Sequence, residues 1–530
     1  MFRRTFRAVP LLCWLPAVIA CASCGTASGG ELTSALAARE TILAKQLRQH
    51  ALVLASDTFE GREAGTRGGR AIGAYIGREL RRIGLAGAGD ERAYYQEFQQ
   101  GYRNILATIP GSDPDLTDEV ILIGAHYDHV GLGTYSNSHG PLGLVHNGAD
   151  DNASGTSALI EVAEAFAALK TPPRRTLVFA FWDAEEKGLL GSRHWVASPT
   201  FPLRRVKFLL NTDMIGRLRE NLLTVHGVRT GAGLRQMISR ANRGPGPNLR
   251  FEWEIKPNTD HQPFHEHGIP FISLWTRKHK DYHTPYDDVD KLNFEGMQHA
   301  GRLLFAIAHA AAEAPGLPAH RSNSHFESAA LQADVEAPLP SPPPRLGVSW
   351  NEELAAADGI ARLSEVGGNT PANRAGLRSG DRIVEFDGTK LVKGLDLQTL
   401  VVRAPSQVSV VYERDGVEKP IAVEIKLDGS PARVGVQWRT DKAEPNCVIL
   451  TRVVSGSPAH VAGLQAGDRI YTVNSKAVVS SELFFEWLTT LEGPLQFEIE
   501  RAGKVQSVEL NDLPKLRPAR PLPGDSEKGE

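Results

Sequence analysis

Strand-like apolar runs alternate with amphipathic helical stretches from residue 31 to about residue 314, and this alternation limits the possible folds more than any other feature of the sequence. It is typical of an α/β domain, in which helices cover a central sheet. Seven prolines between residues 315 and 344 then predict an extended linker that is stiff near its end. The predicted strands are 104–109, 120–125, 176–182, 206–211 and 270–275, and the predicted helices include 67–83, 154–168 and 294–313.

An internal repeat follows the linker. RLGVSW at Arg345 recurs as RVGVQW at Arg433, and TPANRAGLRSGDRIVEFDG at Thr370 recurs as SPAHVAGLQAGDRIYTVNS at Ser457. The period of 87 to 88 residues is longer than that of a solenoid, so it predicts two copies of one small domain. The predicted segments are a first repeat domain at 345–427, a second repeat domain at 428–512 and a polar tail at 513–530.

Both repeat domains resemble PDZ domains of the type attached to bacterial envelope proteases, through the shared segment AGLxxGDRI. The resemblance implies two small β-rich domains that bind protein C-termini or extended peptides. In such domains a loop of backbone N–H groups holds the peptide carboxylate, and the peptide adds a strand to a sheet edge. Residues 346–348 and 434–436 match the position of that loop. The alternative is a PDZ fold that serves only as a brace between domains.

The first 30 residues predict export. MFRRTFR is basic, residues 8–20 are almost wholly apolar, and small residues follow, as in a signal peptide and tether. Residues 18–21 resemble a bacterial lipobox, which would place a lipid on Cys21; the alternative is a plain secretory signal cut near Ala22. We therefore expect a periplasmic or outer-membrane lipid-anchored protein, or a secreted one, with membrane contact only through Cys21. A net charge of −3 gives no reason to expect nucleic-acid binding.

Potential metal ligands and acids follow the predicted strands. Ligand sites in open α/β sheets collect beyond the carboxyl ends of the strands, so these side chains could converge. The candidates are His126, Asp128, His146, Asp150, Asp151, Glu185, Glu186, Asp213 and His283. Other chemistries lack support, because the sequence has no G-x-S-x-G serine motif and no phosphate loop between a strand and a helix. The run FHEH at 264–267 also lacks the H-E-x-x-H spacing.

Five ordered motifs, HYD, GADDNASG, FWDAEEKGLLGS, NTDMIG and YHTPYDD, resemble the co-catalytic dizinc aminopeptidase family. That family includes bacterial leucyl-type aminopeptidases, glutamate carboxypeptidase and the non-catalytic transferrin receptor. The resemblance covers about residues 35–312, where LASDTFEGREAGT and TDHQPFHEHGIP also fit. It implies a zinc exopeptidase-like α/β fold over 31–314, with a mixed central sheet flanked by helices.

The resemblance also implies the ligands of two zinc ions. Asp151 matches the acid that bridges both metals, His126 and Asp213 match the other ligands of one, and Glu186 and His283 match those of the other. Oxygen and imidazole donors of this kind suit Zn²⁺, with Mn²⁺ or Co²⁺ as possible substitutes.

The remaining matched positions carry acid–base and positioning roles. Glu185 matches the general base, Asp128 the acid behind the metal-bound histidine, and Tyr282 a residue that helps stabilise the tetrahedral intermediate. Asp150 is the competing candidate for the bridge, but Asp151 directly precedes the Asn-Ala-Ser-Gly helix start, as the bridging acid does in the family.

Together these features predict an exported metallo-exopeptidase, most simply an aminopeptidase. It would cleave N-terminal peptide bonds through a hydroxide held by two zinc ions, with Glu185 as the base. The alternatives are a carboxypeptidase of the same fold and a non-catalytic peptidase-fold binding protein. The complete set of ligands argues against the second of these, and against a single-zinc glutaminyl cyclase.

Overall fold

The computed structural model describes residues 29–511 and residue 513, and these contain three separate β-sheets. A nine-stranded mixed sheet belongs to the amino-terminal domain, and each repeat domain contains a six-stranded antiparallel sheet. The predicted fold class is therefore confirmed. The apolar signal segment, Cys21 and all of the predicted tail except residue 513 lie outside the described residues. Within the described part of the chain, no helix combines the length and the apolar character needed to span a membrane.

The amino-terminal domain contains eight α-helices and nine strands among its described residues. The helices are α1 (Gly29–Glu40), α2 (Ala44–Leu54), α3 (Arg67–Ile83), α4 (Gly155–Ala167), α5 (Leu190–Ala197), α6 (Leu234–Ala241), α7 (His261–Glu266) and α8 (Phe294–Glu313). The strands are β1 (Ala86–Gly87), β2 (Tyr95–Phe98), β3 (Tyr102–Ile109), β4 (Val120–His126), β5 (Thr176–Trp182), β6 (Val206–Thr212), β7 (Leu222–His226), β8 (Asn248–Glu252) and β9 (Phe271–Trp275). A π-helical turn, Ala149–Ser154, directly precedes α4.

The strand order of the large sheet is β1-β3-β5-β4-β6-β9-β7-β8, and β2 pairs with β3 beside this path. Strand β4 runs parallel to β5 and β6, and β6 runs parallel to β9. The flanking strands β3 and β7 are antiparallel to their inner neighbours. Because the four central strands point the same way, the loops that follow them all leave from one edge of the sheet.

Both faces of the central strands are covered, which explains their continuous apolar sequences. Every residue of β4 is buried, and so is every residue of β5 after the first. On one face α4 packs against α8, where Phe166 contacts Phe305 with ring centroids 4.3 Å apart. On the other face Trp182, Trp195 and Phe264 form a smaller aromatic cluster.

Helix ends agree with capping rules where the sequence supplies a cap. Helix α3 begins after Thr66, whose side chain accepts a hydrogen bond from the Gly69 N–H, and ends at Gly84 in the left-handed conformation, with φ 87°. Its bounds and those of α8 are the predicted ones. Strands β1, β2, β7 and β8 were not predicted, because they are short and mostly lie toward the edges, where the apolar pattern is interrupted.

The predicted linker is more ordered than its proline content suggests. It contains a 3₁₀ helix, Ser322–Phe326, and a further helix, α9 (Ala329–Glu336). The Gln332 side chain donates to the Phe251 carbonyl and accepts from the Trp253 N–H, at 2.9 Å and 3.2 Å. This part of the linker therefore satisfies backbone groups at the edge strand β8. The expectation of an extended linker is corrected for this helical part.

The two repeat domains share one plan. The first contains α10 (Glu352–Asp358), α11 (Pro371–Arg374), α12 (Leu397–Arg403), β10 (Val348–Trp350), β11 (Ala361–Val366), β12 (Arg382–Phe386), β13 (Thr389–Lys390), β14 (Gln407–Glu413) and β15 (Ile421–Lys426). The second contains α13 (Pro458–Val461), α14 (Ser481–Thr490), β16 (Val436–Asp441), β17 (Glu444–Val453), β18 (Arg469–Val473), β19 (Lys476–Ala477), β20 (Leu495–Arg501) and β21 (Lys504–Leu510). Each domain has its own apolar core.

Each predicted carboxylate loop requires glycine for two reasons. Gly347 and Gly435 have φ of 79° and 83°, a region that other residues adopt only with strain. A Cβ at these positions would also lie 2.2 Å from the Thr370 Cβ and 2.1 Å from the Ser457 Cβ. The chain therefore passes close to the start of the following short helix in both copies.

The second repeat domain packs against the amino-terminal domain. Backbone hydrogen bonds join Gly233 to Ala443 and Leu249 to Ala502, at 2.9 Å and 2.8 Å. At the same interface Arg235 on α6 lies 2.9 Å from Glu500, whose side chain is fully buried. These contacts favour the role of a brace for this copy.

We expect Arg235→Gln to weaken this docking by about 3–5 kcal/mol. The change leaves the buried carboxylates of Glu444 and Glu500 without one of their guanidinium partners. Arg469 shares those carboxylates, and the two arginines hold the pKa of Glu444 at about 2 although burial opposes this. The matched control is Arg240→Gln, which breaks an exposed pair with Glu498 at the same interface and should cost less than about 1 kcal/mol. Denaturant unfolding of the two variants would measure the difference, and equal losses would contradict the brace.

Candidate metal centre

The parallel strands bring the predicted ligands to one edge of the sheet. His126 is the last residue of β4, Asp213 follows β6 directly, and Glu186 follows β5 after a short turn. Asp151 lies in the π-helical turn before α4, and His283 lies in the loop after β9. This is where ligands bind in open α/β sheets, since the carboxyl ends of parallel strands meet there.

The donor atoms form two groups that share Asp151. His126, Asp151 and Asp213 form one, and His129, Asp151, Glu186 and His283 form the other; within each group the donor atoms lie within 4.8 Å of one another.

The distances show how Asp151 joins the two groups. Its Oδ1 lies 3.3 Å from His126 Nε2, and its Oδ2 lies 3.0 Å from His283 Nε2. Asp213 Oδ1 is 3.2 Å from the same His126 nitrogen, and Glu186 Oε2 is 3.2 Å from the same His283 nitrogen. Asp151 thus presents one oxygen to each group.

Asp150 is turned away from both groups. Its Oδ1 accepts hydrogen bonds from the Gly216 N–H and the Ser154 hydroxyl, at 2.6 Å and 3.1 Å, and its Oδ2 lies 3.2 Å from His279. These contacts fix the turn before α4 against the loop after β6. Of the two neighbouring aspartates, the structure therefore places only Asp151 among the candidate ligands.

Asp128 connects the two acidic motifs. Its two carboxylate oxygens accept hydrogen bonds from the Glu185 and Glu186 N–H groups, at 3.0 Å and 3.3 Å. His126 Nδ1 lies 3.3 Å from the Asp128 carbonyl oxygen and 3.7 Å from its carboxylate. Asp128 therefore orients the turn that carries both glutamates, as well as lying behind His126.

His129 is a residue that the sequence analysis did not select. Its Nδ1 lies 2.8 Å from Glu186 Oε1 and 3.9 Å from Asp151 Oδ2, and its Nε2 is buried without a hydrogen-bond partner. The available signal was a second histidine directly after the HYD motif. His146, by contrast, was a candidate but bonds to Ser138 and Leu144 instead.

Two further buried side chains hold the backbone of the centre. The Arg62 guanidinium donates to the carbonyls of Tyr127, Gly148 and Asp151, at 2.9 Å, 3.0 Å and 3.3 Å. Asn152 accepts from the Met214 N–H at 3.1 Å and donates to the Thr212 carbonyl at 3.0 Å. These contacts tie the turn bearing Asp151 to β4 and β6.

The electrostatics of the centre favour bound cations. Asp151 and Glu186 raise the pKa of His283 to about 10, although its burial works in the opposite direction. Burial, together with Glu186, Asp260 and Asp213, raises the pKa of Glu185 well above its usual value. The described side chains thus hold an excess of carboxylates with three imidazoles in a buried space, and this set of donors fits two divalent ions.

Tyr282 lies beside the second group. Its ring stacks on that of His283, with centroids 3.9 Å apart. Burial and the nearby carboxylates of Asp151 and Glu186 raise its pKa, so the phenol stays protonated and remains a hydrogen-bond donor.

Comparisons with known proteins identify the domain that contains these residues. The model of the family described as Peptidase family M28 matches residues 104–308, which include the six donor residues of both groups. Residues 104–308 form a peptidase family M28 domain. PDZ domain models match residues 344–425 and 449–483, so two PDZ domains follow the M28 domain, as predicted.

Curated proteins similar to this chain include three that are named as enzymes. Leupeptin-inactivating enzyme 1 of Streptomyces exfoliatus is 32% identical over 33% of this chain and 36% of its own length. Aminopeptidase YwaD of Bacillus subtilis is 30% identical over 36% of this chain and 41% of its own length. Leucine aminopeptidase 1 of Penicillium rubens is 29% identical over 43% of this chain and 62% of its own length. The chain thus spans from about a third to under two thirds of the length of these relatives.

Solved structures similar to this chain include two aminopeptidases. The LapA aminopeptidase of Legionella pneumophila gives a TM-score of 0.44 at 22% identity, covering 53% of this chain and 75% of that one. BSAP, a zinc aminopeptidase of Bacillus subtilis, gives a TM-score of 0.41 at 19% identity, covering 52% of this chain and 97% of that one.

Proposed function

We propose that this chain is a dizinc aminopeptidase whose active site is the centre around Asp151. The observation that carries this proposal is the placement of the Asp151 carboxylate, with one oxygen toward each of two donor groups. The M28 domain and its relatives, several of which are named as aminopeptidases, support it.

Each zinc ion would be held by one group of donors. His126, Asp151 and Asp213 would hold one, and Asp151, Glu186 and His283 would hold the other, with His129 beside Glu186. Zinc ions in such a site supply Lewis acidity, which lowers the pKa of bound water and polarises a peptide carbonyl. Mn²⁺ and Co²⁺ could replace them, since the donors are oxygens and imidazoles.

Glu185 is a buried acid that belongs to neither group of donors. Its backbone is held by Asp128, and its side chain is close enough to His126 and Asp213 for each to influence its pKa. A buried carboxylate with a raised pKa is suited to accept the proton of the attacking water and pass it to the leaving amine. The Tyr282 hydroxyl would donate a hydrogen bond to the developing oxyanion.

The curated relatives favour a substrate with a free amino terminus, since two of them are named as aminopeptidases. The alternative is a carboxypeptidase of the same fold, and one observation favours it: Lys278 Nζ lies 3.9 Å from the centre of the Tyr282 ring. A cation at this position could pair with a C-terminal carboxylate.

We propose further that the protein is exported, that the second PDZ domain acts as a brace and that the first binds peptides. The basic and apolar first residues and the lipobox-like segment at Cys21 support export. The ion pair of Arg235 with Glu500 supports a bracing role for the second PDZ domain. The glycine loop at Gly347 supports peptide binding by the first PDZ domain, and the second keeps the same loop at Gly435.

A panel of matched peptides tests the direction of cleavage. We expect free peptides to be cleaved from the amino terminus and C-terminal amidation to have little effect. N-acetylation should lower kcat/KM by about 10- to 100-fold, because one charged hydrogen bond of about 1.5–3 kcal/mol is lost. Cleavage of acetylated peptides but not of amidated ones, with a KM raised by Lys278→Gln, would instead establish the carboxypeptidase.

A further inference from the structure

Three histidines meet outside the active centre, where helix α7 contacts the segment that follows α8. His265 lies on α7 and is buried, His320 is partly buried, and His325 lies in the 3₁₀ helix Ser322–Phe326 and is exposed. His265 Nδ1 and His320 Nε2 are 3.1 Å apart, and one donor nitrogen of each of the three lies within 4.8 Å of the others. His265 belongs to the run FHEH, which the active site does not use.

We propose that His265, His320 and His325 form a third zinc site, separate from the dinuclear centre. Three imidazoles with a remaining solvent position are a common donor set for Zn²⁺, and imidazole suits Zn²⁺ better than Mg²⁺ or Ca²⁺. The exposure of His325 leaves that side of the site open to water.

The charges around the three histidines suit a metal ion. Burial, then His325 and His320, lower the pKa of His265 to about 4, and burial also lowers the pKa of His320. Both imidazoles are therefore neutral near pH 7, the form that binds a metal. The neighbouring Arg321 guanidinium is engaged, since it donates to the Arg229 carbonyl at 2.6 Å and lies 3.4 Å from Glu327.

The backbone already holds His265 and His320 in place, since His265 lies on helix α7. His320 forms a β-bridge with Gly231, and the Arg321 N–H donates to the Thr230 carbonyl at 2.7 Å. The His325 ring stacks on that of His265, with centroids 3.9 Å apart. One ring nitrogen of His325 already lies within 4.8 Å of the donor nitrogens of the other two histidines, and its exposure leaves the side chain room to change rotamer.

A metal ion here would fasten the linker to the M28 domain. The clamped segment leads directly to Glu327, which lies 2.9 Å from Arg229, and Arg229 lies 2.8 Å from Asp441 of the second PDZ domain. The third zinc would therefore stabilise the same docking that the Arg235 ion pairs support. This role is independent of peptide hydrolysis.

The full chain carrying Asp151→Asn allows zinc bound at the three histidines to be measured apart from zinc bound at the dinuclear centre. The Asp151→Asn chain is compared with the Asp151→Asn chain that also carries His325→Ala. Each is treated with chelator, reloaded with Zn²⁺ and passed through gel filtration, and the zinc bound per chain is then measured. We expect His325→Ala to remove one equivalent. The matched control is His267→Ala, a neighbouring histidine whose Nδ1 bonds to the Pro263 carbonyl at 2.8 Å and which lies outside the group; it should remove none.

Limited proteolysis of residues 315–344 gives the second readout. Zn²⁺ should slow cleavage of this segment in the His267→Ala chain and not in the His325→Ala chain. Because His325 is exposed, its replacement should leave the thermal unfolding of the chelated protein unchanged. Equal zinc content in the His325→Ala and His267→Ala chains would overturn the third site, whatever the dinuclear centre binds.

Discussion

Glu185→Gln is expected to lower kcat by about 10²- to 10⁴-fold while the chain keeps its zinc. The Glu185 carboxylate would stay free to move a proton, because Asp151, Glu186 and Asp213 would hold the metal ions and Asp128 is occupied by backbone N–H groups. Glutamine has the same shape and cannot accept the proton. Burial already raises the pKa of Glu185, so a neutral side chain is tolerated there.

Glu186→Gln is the matched comparison for this prediction. The two residues are neighbours with similar backbone contacts to Asp128, but only Glu186 lies among the donors, 3.2 Å from His283 Nε2. We expect this variant to lose zinc as well as activity. Metal analysis and steady-state kinetics of both variants would measure the contrast, and wild-type turnover in Glu185→Gln would refute its role as the base.

Asp151→Asn is expected to lower the zinc bound by the dinuclear centre by up to two equivalents and to reduce activity by at least about 10³-fold. Its carboxylate is the one shared by both groups of donors, and His126 and His283 hold its pKa well below the usual range although burial opposes this. Loss of metal removes several kcal/mol of transition-state stabilisation, and each 1.36 kcal/mol is a factor of ten in rate.

Asp150→Asn is the control, because it makes the same chemical change one residue earlier. An asparagine there can still accept the Gly216 N–H, so we expect both zinc ions to remain. Asp213→Asn should affect one ion only, since Asp213 belongs to one group. Metal content measured for the three variants tests the assignment, and loss of both ions from Asp150→Asn but not from Asp151→Asn would reverse it.

The sequence predicted the central fold because its strands are buried on both faces. Strand β5 has the predicted bounds, 176–182, since an apolar run of this short length favours a strand buried on both faces over a helix. Strand β8 was missed, since its five residues, NLRFE, lie at the edge of the sheet and are too few for their alternation of polar and apolar residues to stand out. The helix α9 within the proline-rich segment was missed because its stability comes from contacts such as those of Gln332 with the amino-terminal domain.

The sequence by itself determined which acids and histidines follow the central strands, because a local apolar run and the residues after it are read along the chain. Only the tertiary structure decided which of them meet. It turned Asp151 inward and Asp150 toward Gly216, and it brought His129 beside Glu186. It also assembled His265, His320 and His325 from segments more than 50 residues apart in the chain. These choices depend on the parallel order of the strands and on side-chain directions set by packing, and neither is contained in a short stretch of sequence.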